Sequence, residues 1–269
     1  MTDQMKCSQT ILPLWNGRAP YTDQSPDQAQ PSLKAFPVKG AQTAMVICPG
    51  GGYVMKAEHE GDPIADRFAA HGISGYVLDY RVKPCHPMAP LGDAQRAIRL
   101  VRSLGYEHVG ILGFSAGGHL TCSAAVHWDP GRPDDADPIE RVSCRPDFFV
   151  PCYPVVSFTQ YAHYGSCLSL LGCEDRHDLE RYFSSELQVR DDTPPAFLWH
   201  TADDDCVPVE NSLLLAMALS RHGVPFEMHI FPHGSHGLGL APETEDLSTW
   251  PELAARFIHT VIEGRNPRL

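Results

Sequence analysis

The chain predicts an α/β fold, a mostly parallel central sheet with helices on both faces. Three observations carry this. From residue 44 onward, short apolar runs alternate with longer amphipathic stretches, the pattern of parallel strands joined by helical crossovers. No linker or shift of composition divides the 269 residues, so they are expected as one domain, 1–269. The sharpest turn signal, a serine between two glycines, falls between an apolar run and a stretch of small residues.

Taken in order, residues 1–40 are rich in Pro, Gln and Asp with one apolar stop at 11–15, and read as an arm draped on the domain, with a short edge strand as an open alternative. Residues 45–48 read as a buried strand. Residues 59–71 read as an amphipathic helix with Ile64, Phe68 and Ala69 on one face. A strand over 75–80 precedes a helix over 93–104, in which Ala94, Ala97, Ile98 and Val101 recur at helical spacing. Residues 109–112 are the next strand and 118–126 a helix of small residues. A polar loop over 128–147 leads to a strand at 148–150 that ends at Tyr153 and Pro154. Residues 157–193 have mixed periodicity and are expected as short helices over the sheet edge. With 128–147, they are expected to shape a pocket. A strand at 196–200, a helix over 209–222 stopped by Gly223, a strand at 226–231 and a helix over 250–262 complete the chain.

Composition excludes some classes. The formal net charge of −12 argues against nucleic acid or an anionic membrane as partner, since both demand basic patches. Residues 1–10 lack the apolar core of a secretion signal, and no apolar run reaches membrane-spanning length, so a cytoplasmic protein is expected. The nine cysteines are odd in number and scattered, which fits reduced thiols, with Cys48, Cys122 and Cys152 in apolar elements. No C-x-x-C occurs, so no metal site is expected.

Residues 113–117 (GFSAG) hold the chemistry. The bare G-x-S-x-G pattern arises by chance in roughly one such chain in ten, so context decides. A strand before, a helix after and a serine at the turn describe the nucleophile elbow of an α/β-hydrolase fold. A serine hydroxyl needs a base, and the base needs a partner to hold its tautomer. In this fold the order is Ser, then Asp or Glu, then His. The acid is expected after the strand ending at His200, among Asp203, Asp204 and Asp205. The register to Val207 and Pro208 selects Asp204, with Asp203 the runner-up and Asp205 facing solvent or capping the helix. The base is expected after the last strand, where His236, before a glycine, is favoured over His233; His71, His127, His222 and His259 read as surface or packing residues. The glycine triplet Gly50, Gly51 and Gly52 allows backbone N–H groups to converge. Gly51, Gly52 and the N–H of Ala116 are the candidate oxyanion donors. Tyr53 reads equally as a wall. Neither G-x-x-x-x-G-K-[ST] nor G-x-G-x-x-G is present, so nucleotide binding competes poorly.

Further segments extend the pattern: 49–53, 58–61, 79–82, 90–97, 113–120, 145–147, 153–155, 193–197, 200–208 and 234–237. In these the chain resembles α/β-hydrolase esterases related to acetyl xylan esterases and to hormone-sensitive-lipase-like carboxylesterases, the xylanase-B-like group, over residues 44–240. The resemblance implies catalytic roles for Ser115, Asp204 and His236. It implies hydrolysis of short acyl esters, with acetylated sugars such as xylo-oligosaccharides as leading substrates. Two departures stand out: Pro49 occupies the position that is often histidine in lipase-like relatives, and Cys167 and Ser169 replace more polar residues.

The expected protein is therefore a serine esterase acting on a small ester, an acetylated oligosaccharide foremost. No cofactor is expected, because acyl transfer to water requires no electron sink. The rivals are a prolyl-oligopeptidase-type peptidase, opposed by the absence of a propeller-sized N-terminal region, and a silent hydrolase fold that only binds, opposed by the presence of Ser, Asp and His.

Overall fold

Eight strands form one sheet in the order β1-β2-β4-β3-β5-β6-β7-β8 in the computed structural model, which describes residues 10–24, 28–172 and 176–264. The start of the arm (residues 1–9, including Cys7), the rest of the polar stretch over 1–10 but for Thr10, and Cys173 lie outside the described residues. The strands are β1 (Thr10–Pro13), β2 (Ser32–Phe36), β3 (Thr43–Cys48), β4 (Ser74–Asp79), β5 (His108–Phe114), β6 (Phe149–Cys152), β7 (Ala196–Thr201) and β8 (Phe226–Phe231). From β4 to β8 neighbouring strands run parallel, while β1 and β2 are antiparallel to each other and β2 is antiparallel to β4. This is the α/β-hydrolase fold expected from the sequence.

Side-chain alternation divides the core between the two faces of the sheet. In β3, Ala44, Val46 and Cys48 join one cluster, with Leu91, Ala94, Ile98 and Leu120; Met45 and Ile47 join the other, with Ile64, Phe68 and Trp250. Helices α2 (Ala89–Ser103), α3 (Ala116–Val126) and α6 (Glu210–Arg221) accordingly cover the first face. Helices α1 (Asp62–Ala69) and α7 (Trp250–Phe257) cover the second. Two short helices, α4 (Tyr164–Leu171) and α5 (His177–Phe183), lie within the described part of the segment 157–193.

Four expectations about element bounds need correction, and a fifth about the pocket. The arm is part of the sheet: β1 and β2 both pair, with Leu33 and Ala35 buried in alternation. A period of two over only five residues, set among Pro and Gln, gave too little signal to separate strand from loop. Helix α2 begins four residues before the expected Asp93, because Pro90 fits the first turn, where its missing N–H is not needed. Helix α1 is shorter than 59–71, since Glu58–Glu60 forms a separate 3₁₀ turn, and it buries Ala65 rather than Ala69. Helix α7 ends at Phe257 and passes into a π turn over Ile258–Ile262.

Residues 128–147, expected at the pocket, lie at the opposite end of the strands. Asp147 donates its N–H to Val109 O at 2.8 Å and accepts the Val109 N–H at 2.7 Å, at the foot of β5, whereas Ser115 follows its other end. The same segment is held by Arg96, whose buried guanidinium binds Asp137 at 2.6 Å, Glu140 at 2.9 Å and the Leu14 carbonyl at 2.7 Å, and stacks over Trp15. A fully hydrogen-bonded buried cation of this kind ties three separate chain segments together, because removing any partner leaves charge buried without compensation.

Candidate active site

The turn from β5 into α3 places Ser115. The approach of helix to strand is too close for side chains: a Cβ on Gly113 would lie 2.2 Å from the Gly117 carbonyl oxygen, and one on Gly117 would lie 2.1 Å from that of Cys48. Ser115 itself has φ 52° and ψ −116°, a conformation costly for a residue with a Cβ. The surroundings impose it. The Ser115 N–H donates to Cys152 O at 3.1 Å, and its carbonyl accepts from His119 at 2.9 Å and Val155 at 3.1 Å.

His236, on the loop after β8, meets this serine. Its Nε2 lies 2.8 Å from Ser115 Oγ, and its Nδ1 lies 2.7 Å from Asp204 Oδ2. Asp204 accepts at both oxygens: Oδ1 takes the N–H groups of Cys206 and Val207, each at 2.9 Å. Burial opposes its charge, but bonds from His200, His236 and these two N–H groups outweigh burial and hold the carboxyl well below the usual carboxylate range. With the acid ionised, the proton on His236 belongs on Nδ1, leaving Nε2 as the acceptor for the serine hydroxyl.

The neighbouring candidates have other tasks. Asp203 holds the exposed His233 at 2.9 Å and the Gly234 N–H at 2.8 Å, anchoring the root of the histidine loop. Asp205 faces solvent. The glycine triplet packs against the serine, where a Cβ on Gly50 would sit 3.2 Å from Ser115 Cβ. Gly51 and Gly52 adopt φ 126° and 64°, and among the described residues their N–H groups find no acceptor. Ala116 opens α3, so its N–H has no acceptor within the helix. His163, at the N-cap of α4, faces the same site. Burial and the nearby His236 lower its pKa, Asp204 acting the other way, and its Nε2 lies 3.7 Å from Cys206 Sγ. Within 157–193, expected at the pocket, His163 is the residue these contacts bring beside Cys206 and His236.

Residues 36–219 match the model of the BD-FAE family. The chain belongs to the BD-FAE family. It is 40% identical over 220 residues to endo-1,4-beta-xylanase B of Butyrivibrio fibrisolvens, covering 77% of this chain and 34% of that protein. It is 33% identical over 226 residues to an acetylxylan esterase of Xylanibacter ruminicola, covering 79% of this chain and 45% of that one. The chain therefore spans less than half the length of either curated relative. Among solved structures, the acetyl ester-xyloside bifunctional hydrolase of Caldicellulosiruptor lactoaceticus is 45% identical with a TM-score of 0.91, over 96% of this chain and 97% of that one.

This BD-FAE chain also holds site residues that sequence reasoning passed over. His200 Nε2 donates to Val207 O at 2.9 Å and lies 3.4 Å from Asp204 Oδ2, while its Nδ1 accepts from Ser212. His119, under the glycine triplet, donates from Nε2 to Phe183 O at 2.8 Å, so its Nδ1 accepts the Tyr53 hydroxyl at 2.7 Å. Tyr53 is thus a buried anchor with φ 60°. Their signal was only membership in quoted segments; each partner is distant in sequence.

His119 carries an acid-stability expectation. Burial lowers its pKa from 6.5 to about 4, against the bond to Phe183. Between these values the unfolded chain binds a proton that the fold refuses. The contribution is complete above pH 6.5 and is lost as pH falls toward 4, amounting to about 3 kcal/mol. Asp204 adds a loss only below its unfolded value of 3.8. Urea midpoints at pH 7 and pH 4.5 should differ clearly in the parent and much less in His119→Gln. Equal slopes in both would assign the acid sensitivity elsewhere.

Proposed function

We propose that this protein is a serine esterase that removes short acyl groups, acetyl foremost, from carbohydrate esters. The observation that carries the reading is the unbroken hydrogen-bond relay from Asp204 through His236 to Ser115, beside the open N–H groups of Gly51 and Gly52. Ser115 Oγ attacks the acyl carbonyl as His236 Nε2 takes its proton. Asp204 stabilises the imidazolium. The N–H groups of Gly51, Gly52 and Ala116 receive the oxyanion; losing one such donor costs on the order of 10²–10³ in turnover. Collapse expels the alcohol with the proton from His236. Water, deprotonated by the same nitrogen, then frees the acid from Ser115.

The substrate class is supported by similarity to proteins named acetylxylan esterase and acetyl ester-xyloside hydrolase. The short acyl preference is supported by the crowding around Ser115, where a Cβ on Gly50 would lie 3.2 Å from Ser115 Cβ and His236 Nε2 closes in to 2.8 Å from Ser115 Oγ. The setting proposed is the cytoplasm, in keeping with seven free thiols among the described residues.

A p-nitrophenyl ester series from acetate to octanoate, with acetate release from acetylated xylo-oligosaccharides, tests this. A fitted methylene is worth roughly 1–3 kcal/mol, and overpacking loses comparably. Thus kcat/KM should fall steeply between butyrate and octanoate. A kcat/KM that rises through octanoate would reject the short-acyl reading. Turnover of a proline-containing peptide amide with negligible ester hydrolysis would favour a peptidase.

A further inference from the structure

Glu60 takes no part in the relay, yet it touches both halves of the site. It is only 2% exposed, in the 3₁₀ turn before α1. Its Oε2 accepts the Gly50 N–H at 2.7 Å, at the base of the glycine triplet. Its Oε1 accepts the Tyr153 hydroxyl at 2.6 Å. The same Tyr153 oxygen accepts the Gly239 N–H at 2.9 Å, in the histidine loop, and the Tyr153 ring stands edge-on to His236 with centroids 5.1 Å apart. Gly239 is fixed further by its carbonyl, which accepts from Trp250 Nε1 at 2.9 Å. His59, next in sequence, donates to Gly237 O at 2.8 Å.

We propose that Glu60 is a positioning residue that locks the glycine triplet and the histidine loop to one another. The inference rests on the serine-esterase reading. Both segments are loops: the triplet turns through left-handed glycines, and the histidine loop runs from β8 to α7. Neither is held in register by strand pairing, and a 1 Å misplacement of reacting groups costs on the order of 10²-fold in rate. The chemistry of the junction demands a carboxylate. Gly50 N–H and Tyr153 O–H are both donors, and the Tyr153 oxygen is already the acceptor for Gly239. A glutamine offers one acceptor where two are needed. An aspartate is a methylene too short to span the same gap.

The test uses the full chain with Glu60→Gln, Tyr153→Phe and the double substitution. Thermal unfolding, kcat and KM for p-nitrophenyl acetate, and the rate at which a fluorophosphonate labels Ser115 are measured. Glu60→Gln should lower kcat and labelling by about 10–100-fold with KM changed by no more than about twofold. Tyr153→Phe cuts only the link to the histidine loop and should lose less. Adding it to Glu60→Gln should cost little more, because the path is already broken. A Glu60→Gln protein with a lower melting temperature but parental kcat and labelling would make Glu60 merely structural and overturn the proposal. If Glu60→Gln fails to fold, Tyr153→Phe decides, and parental kcat in that variant overturns it. Additive losses in the double variant would also overturn it. A parent that hydrolyses no ester sinks the esterase reading, and this inference with it. A parent that is active, and silenced by Ser115→Ala, beside unaltered Glu60 and Tyr153 variants sinks the inference alone.

Discussion

Ser115→Ala is expected to abolish ester hydrolysis and leave the fold standing. Alanine keeps the Cβ, so it fits the space bounded by Gly50 and neither relieves nor adds to the backbone strain at φ 52°. The backbone bonds that pin the turn, to Cys152, His119 and Val155, involve only the N–H and carbonyl of residue 115 and survive the change. What disappears is the hydroxyl 2.8 Å from His236 Nε2. Loss of a serine nucleophile removes the covalent route entirely, and a fall in kcat on the order of 10⁴–10⁶ is expected. Turnover of p-nitrophenyl acetate alongside thermal unfolding checks this. Activity within a few-fold of the parent at an unchanged melting temperature would remove Ser115 from the chemistry.

The second large effect separates Asp204 from Asp203. In Asp204→Asn the remaining carbonyl oxygen must stay on the N–H groups of Cys206 and Val207, which occupy Oδ1. The amide NH₂ then replaces Oδ2 and faces His236 Nδ1 and His200 Nε2. His236 can accept it only by moving its proton to Nε2, where the imidazole no longer accepts from the serine. A wrong tautomer of this kind costs on the order of 10⁴ in kcat. Asp203→Asn keeps an acceptor for Gly234 and gives up only a solvent-exposed pairing with His233, so its kcat should stay within about threefold, as an exposed pair contributes little. Measured kcat values in the reverse order would move the acid one residue upstream.

What was readable from the sequence follows physical lines. Strands β3, β5 and β7 announce themselves because both faces are covered and each carries a continuous apolar run, at 44–48, 109–114 and 196–199. Ser115 was legible because a strained turn restricts its neighbours to small residues. Asp204 was legible from its register to Val207, whose N–H it binds. The edge strands β1 and β2 were not, since one-sided burial over four or five residues leaves a weak pattern. Nor were Glu60, Tyr153 and His119. Each is an ordinary residue locally and takes its meaning from partners 10 to 93 positions away.

The sheet edge built by β1 and β2 bears on where this molecule can be divided. The stretch matched to the family, 36–219, retains Ser115 and Asp204 but stops short of His236, β8 and α7. At its other end it omits β1 and nearly all of β2, which would bare the β4 edge and release Arg96 from Leu14. An uncovered strand edge is a template for aggregation. The portable unit for domain grafting or library construction is thus longer at both ends than the stretch matched to the family, and the arm travels with it as the sheet's selvedge.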